Sequence, residues 1–184
     1  MAEIILVTGG TRSGKSYTAL RLAEGYKSKV FIATAEAFDD EMRLRIAKHK
    51  AERGNEWQTI EAPLDLSNAI ANVHDSTAVI VVDCLTVWLS NLMYHNESIT
   101  EDSLPCSTLL IALKQSCVAR IILVTNEVGM GIVPNHPLGR RFRDIAGRLN
   151  QRVGTIANQV IFVVCGQCLV IKSTQQNTNE TNTI

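Results

Sequence analysis

The chain has 184 residues, 46% of them hydrophobic and 20% charged, with 18 Lys and Arg against 18 Asp and Glu. That length supports one substantial domain with a core and is short for two. A formal charge of zero argues against a sequence-independent grip on nucleic acid or an anionic membrane, so the expected ligand is a small molecule.

The N-terminus enters an apolar run, Ile4 to Val7, with no basic region and signal core before it. No stretch is apolar for long enough to span a bilayer, and the expected location is the cytoplasm. Next comes Gly9-Gly10-Thr11-Arg12-Ser13-Gly14-Lys15-Ser16, which fits G-x-x-x-x-G-K-[ST] between a strand and a helix. Glycines there let backbone N–H groups turn onto phosphates, Lys15 reaches the β and γ oxygens, and the Ser16 hydroxyl is placed to ligate Mg²⁺. A nucleotide phosphate is therefore expected at this loop.

Further apolar runs of strand length follow at Val30 to Ala33, Val79 to Val82, Ile121 to Thr125 and Val160 to Val164. Between them lie segments of helical periodicity: Ser16 to Gly25, Asp39 to Glu52, Leu64 to Val73, Leu85 to Met93, a stretch within Ser103 to Cys117, and Leu138 to Ala157. Gly54 is a natural stop after the second. The alternation predicts an α/β fold with a mostly parallel central sheet and helices on both faces. Tyr94 to Cys106 is the one long loop expected within it. Residues 1–172 are expected to form a single nucleotide-binding catalytic domain, and residues 173–184, almost without apolar side chains, a polar disordered tail.

Five scattered cysteines suit reduced thiols. Cys165-Gly-Gln-Cys168 lies between apolar runs ending at Val164 and starting at Leu169, so a turn joining two strands explains it better than a redox or zinc site.

Asp83 closes the run Val79-Ile-Val-Val, where a P-loop protein needs a carboxylate facing the Mg²⁺ held by Ser16. An aspartate capping the next helix would read the same. His49 shares a helical face with Met42 and Ile46, which fits both a histidine packed at a core margin and a nucleophile toward phosphorus. The segment Thr125 to Pro134, with two glycines and a proline, predicts a shaped loop at the carboxyl edge of the sheet. Arg140, Arg141, Arg143 and Arg148 lie on one helix, either to clamp phosphate or to pair across a subunit boundary, or as a solvated face with Asp144.

Taken in order, the blocks Val7 to Ser16, Ile32 to Ala35, Asp39 to Ile46, Val82 to Thr86, Val124 to Pro134 and Arg141 to Gln151 resemble the bifunctional adenosylcobinamide kinase/adenosylcobinamide-phosphate guanylyltransferase family of cobalamin biosynthesis. The similarity runs from Ile4 to Lys172. It implies a RecA-like P-loop NTPase fold, a homotrimer, and two activities. One phosphorylates adenosylcobinamide with ATP or GTP. The other joins GMP to that phosphate, releasing pyrophosphate, through a guanylylated histidine on the helix after the second strand, where this chain has His49. Many relatives carry two adjacent histidines at this point, whereas this chain has Lys48-His49. By the same resemblance Ala33, Thr34, Ala35, Arg53, Glu61 and Asp83 line the guanine nucleotide site, with Glu61 or Asp83 able to accept from guanine N1–H and its amine. A small-molecule P-loop kinase lacking guanylyl transfer is the alternative that Lys48 keeps in play.

Overall fold

The computed structural model describes residues 2–36, 56–74 and 76–174. Among these, β1 (Glu3–Gly9), β2 (Lys29–Ala33), β3 (Trp57–Glu61), β4 (Val79–Asp83), β5 (Arg120–Val124), β6 (Gln159–Val164) and β7 (Gln167–Ser173) form one sheet in the order β3-β2-β4-β5-β1-β6-β7. Every pairing is parallel except the β6–β7 hairpin.

The central strands are apolar on both sides because both sides are covered. Along β1, Ile4 and Leu6 join one core while Ile5 and Val7 join the other, and β4 divides in the same way into Ile80, Val82 and Val79, Val81. Helices α2 (Leu66–Ala71), α3 (Leu85–His95), α4 (Leu104–Gln115) and α5 (Pro137–Ile156) supply the first core with Leu66, Leu85, Trp88, Leu109 and Leu149. Helix α1 (Lys15–Leu22) supplies the second through Ala19. Helices thus lie on both faces of the sheet, as the alternating pattern predicts, with α1 alone on the second face among the described residues.

Several boundaries differ from expectation. Helix α1 stops at Leu22, α2 spans only Leu66–Ala71, and α3 runs on through His95, so the expected long loop narrows to residues 96–103. Strand β3 has no counterpart in the predicted elements. It is an edge strand with only Trp57 and Ile60 apolar, held by the edge-on packing of Trp57 against Phe31 (6.1 Å between centroids) and by Lys29 over the Trp57 ring.

The hairpin β6–β7 turns at Cys165 and Gly166, both at positive φ (52° and 74°), the signature of a tight two-residue connection. This is the turn expected for the C-x-x-C segment, and no cluster of three metal-binding side chains occurs among the described residues. Strand β7 continues through Ser173, and Thr174 N–H donates to Asn158 O, so these two residues belong to the ladder rather than the tail. Residues 175–184 lie outside the described residues, as do the helix expected over Asp39 to Glu52 and the stop at Gly54. No described helix is long and apolar enough to cross a membrane.

Candidate functional site

The loop Gly9 to Ser16 leaves the carboxyl end of β1 and enters α1. Gly9 has φ +151°, and a Cβ there would meet Val163 O at 2.2 Å, so no other residue fits between β1 and β6. Gly14, at φ +104°, forms the N-terminal boundary of α1 and opens the helix amides toward the loop. Ser13 O accepts from Gly166 N–H at 2.9 Å, which braces the loop against the β6–β7 turn. The Ser13 hydroxyl is buried with no hydrogen-bond partner among the described residues. A buried unmade hydrogen bond just before the N-terminus of α1 suits an anionic ligand.

Lys15 is buried, and its ammonium donates to Gly10 O at 2.5 Å. Burial lowers its pKa, while the charges of Cys84 and Asp83 oppose that shift. Burial also raises the Cys84 thiol to about 11, so at neutral pH the anion facing Lys15 is Asp83. The P-loop lysine and the β4 carboxylate therefore share one electrostatic site. Helix α3 is capped by Cys84, whose sulfur accepts from Val87 N–H at 3.5 Å. Asp83 is thus not the helix cap, the other role open to it. Ser16, on the first turn of α1, and Asp83, at the end of β4, carry the hard oxygens that Mg²⁺ prefers.

Strand register sets the remaining candidates in a row. Ala33 stands level with Glu61 on one side and Asp83 on the other. Asp83 in turn is level with Val124, and Val124 with Val7. Glu61 is exposed at the end of β3 and helps line a cavity of about 330 Å³ with Ala62, Leu64, Asp65 and Asn68. Thr34 is different. Its N–H donates to Asp83 O, its hydroxyl both donates to Cys84 O and accepts from Cys84 N–H at 2.8 Å, and its carbonyl accepts from Asn91. All its polar groups serve the frame. His49, Lys48 and Arg53 lie outside the described residues.

The other histidines are engaged locally. His74 bonds Ser76, His95 pairs with Glu36 at 3.3 Å, and His136 caps α5 through Leu138 N–H. Arg143 pairs with Asp144 on α5 itself at 3.8 Å, the internal partner of the solvated-face reading, and the other arginines of α5 named from sequence hold the chain's own loops. Arg140 donates to Pro134 O and Asn135 O, Arg141 to Ile99 O, and Arg148 pairs with Glu101. This differs from the phosphate clamp considered from sequence.

Two polar assemblies had no sequence signal. Asn91, buried on α3, donates to both Thr34 O and Pro63 O, joining the exits of β2 and β3. Thr86, Thr125 and Asn150 link to one another and to the Asn126 backbone, fixing the start of the loop after β5. Isolated Thr and Asn within apolar segments carry no spacing that announces such partners.

Residues 5–171 match the CobU family, described as cobinamide kinase / cobinamide phosphate guanyltransferase. The chain is 40% identical to the bifunctional adenosylcobalamin biosynthesis protein CobU of Escherichia coli (strain K12), over 92% of this chain and 99% of that protein. It is 42% identical to the bifunctional adenosylcobalamin biosynthesis protein CobP of Pseudomonas aeruginosa, over 91% and 96%. Among solved structures, a prototypical ATPase from the type III secretion system of pathogenic bacteria superposes with a TM-score of 0.51 at 14% identity, over 87% of this chain and 50% of that one. This last likeness concerns the P-loop NTPase fold alone.

Proposed function

Because the chain belongs to the cobinamide kinase / cobinamide phosphate guanyltransferase family, we propose that it carries out both reactions on a corrinoid substrate. The first phosphorylates adenosylcobinamide with ATP or GTP. The second transfers GMP from GTP to adenosylcobinamide phosphate, giving adenosylcobinamide-GDP and pyrophosphate. The observation that carries the reading is the meeting of buried Lys15 with Asp83 at one sheet edge, in a chain matched to that family over nearly its whole length.

In the kinase step the amides of Gly9 to Ser16 and the Lys15 ammonium neutralise charge on the β and γ oxygens. Ser16 and Asp83 would hold Mg²⁺, which when bound withdraws charge from the same oxygens. In the guanylyl step His49 is assigned as nucleophile from the family resemblance. A neutral imidazole nitrogen bonds to the α-phosphorus, the α–β bridging bond breaks, and pyrophosphate leaves. An oxygen of adenosylcobinamide phosphate then attacks the same phosphorus and frees the imidazole. Ala33, Thr34, Ala35, Arg53, Glu61 and Asp83 are proposed to surround the guanine nucleotide, Thr34 as frame and Glu61 or Asp83 as the carboxylate that reads the base.

We assign the expected domain of residues 1–172, extended by Ser173 and Thr174 of the β7 ladder, to one catalytic unit, with a cytoplasmic location and a homotrimer on the same grounds. Exposed Leu169, Val170 and Ile171 on edge strand β7 offer apolar area of the kind subunits bury. The test is a two-stage assay on the full chain. Adenosylcobinamide with ATP should yield its phosphate, and addition of GTP should yield adenosylcobinamide-GDP with one pyrophosphate per product. Phosphate without the GDP product would favour the kinase-only alternative, which Lys48 in place of a second histidine keeps specific.

A further inference from the structure

The loop from Thr125 to Pro134 stands against the P-loop, yet the chemistry above gives it no part. It is anchored at its start, since Thr125 N–H donates to Val7 O and Glu127 N–H donates to Gly9 O, each at 3.0 Å. It is anchored at its end by Arg140 on Pro134 O and Asn135 O. Strand β5 lies between β4 and β1, so Glu127 emerges three residues beyond Val124, the position level with both Asp83 and Val7. That puts it at the carboxyl edge, beside the first glycine of the phosphate loop and on the strand next to Asp83.

The carboxylate is held in a defined pose. Its Oε1 accepts from Gly129 N–H at 2.6 Å, which folds the side chain back over its own loop. Oε2 makes no hydrogen bond among the described residues, and the side chain is half-buried. The other carboxylates of this edge have separate tasks: Asp83 faces Lys15, Glu36 pairs with His95, and Glu61 lies at the far edge on β3.

We infer that Glu127 is the catalytic base of the kinase step, accepting the proton of the acceptor hydroxyl as that oxygen attacks the γ-phosphorus. The inference rests on the kinase reading above. In balance, the acceptor O–H bond breaks with its proton passing to Glu127 Oε2. The new O–Pγ bond forms, and the Pγ–O bond to the β-phosphate breaks to release the nucleoside diphosphate. Guanylyl transfer to a neutral imidazole has no hydroxyl proton to remove, so it does not use this group.

The difference between the two activities supplies the test. Glu127→Gln keeps an Oε1 acceptor for Gly129 N–H and therefore the loop, but removes the basic oxygen. In the full-length enzyme with adenosylcobinamide and ATP, kcat for phosphorylation should fall about 100- to 1,000-fold with the KM for ATP little changed. GMP incorporation from α-labelled GTP should stay within about threefold of the wild type, which also certifies a folded site. A kinase rate within threefold of the wild type overturns the inference, and so does equal loss of both activities, which would mark a loop-building role. A wild-type enzyme that labels with GMP yet leaves adenosylcobinamide unphosphorylated overturns the kinase reading itself, and this base with it.

Discussion

The Thr34 hydroxyl holds both backbone groups of Cys84, donating to its carbonyl and accepting from its N–H at 2.8 Å each. The residue after β2 thereby fixes the residue after Asp83, and a buried polar clamp sets the backbone from which the carboxylate is presented. Thr34→Val keeps the shape and removes both bonds. We expect a stability loss of about 1–3 kcal/mol in urea unfolding and a higher Mg²⁺ concentration for half-maximal turnover, with Thr34→Ser restoring both. Unchanged stability in Thr34→Val would contradict the clamp.

Asp83→Asn should separate chemistry from folding. Cys84, not Asp83, caps α3, so unfolding free energy should change by about 1 kcal/mol or less while nucleotide turnover falls about 100-fold at saturating substrate. Comparable losses in both would return Asp83 to a structural role.

Lys15 gives a pH prediction with a definite sign. Its folded-state pKa is lowered, chiefly by burial, from 10.5. A lysine so shifted binds fewer protons folded than unfolded, so stability rises with pH between the folded value and 10.5, and below that window the buried charge is a penalty. Lys15→Met removes it, and the carbonyl it leaves belongs to exposed Gly10, which water can satisfy. Without nucleotide the variant should melt above the wild type at pH 7, the gap closing as pH approaches 10.5, and GTP should no longer raise its Tm. A variant less stable at pH 7 would contradict this.

Thiol reactivity tests the packing. Cys84 and Cys106 are buried with thiols raised to about 11, whereas Cys117, Cys165 and Cys168 are exposed. Iodoacetamide at pH 7.5 should modify those three in the native enzyme and reach Cys84 and Cys106 only on unfolding. GTP should slow modification of Cys168, whose sulfur contacts Thr18 of α1 at 3.6 Å. Rapid native labelling of Cys84 would show that the described core is not the solution state.

Much of this was legible in the chain. Buried parallel strands read as unbroken apolar runs, and β1, β2, β4, β5 and β6 stand where those runs are. The phosphate loop carries its own spacing, and its neighbour Asp83 follows from a strand end. Strand β3 did not show itself, because an edge strand with two apolar residues makes no pattern. Thr34 reads from sequence as part of the nucleotide site, and the structure adds that its hydroxyl braces Cys84, a partner that sequence does not give. Asn91, Asn150 and Thr86 were hidden for the same reason: their meaning lies in contacts many residues away.

The central claim is that one cradle serves a γ- and an α-phosphorus transfer, the second through His49. It is tested most directly by incubating the full chain with α-labelled GTP and Mg²⁺ and asking where the label resides. The account predicts a covalent GMP, labile in acid and stable in alkali as a phosphoramidate is, with release of pyrophosphate, present in Lys48→Ala and absent in His49→Ala. Label that survives His49→Ala and disappears in Lys48→Ala would contradict it.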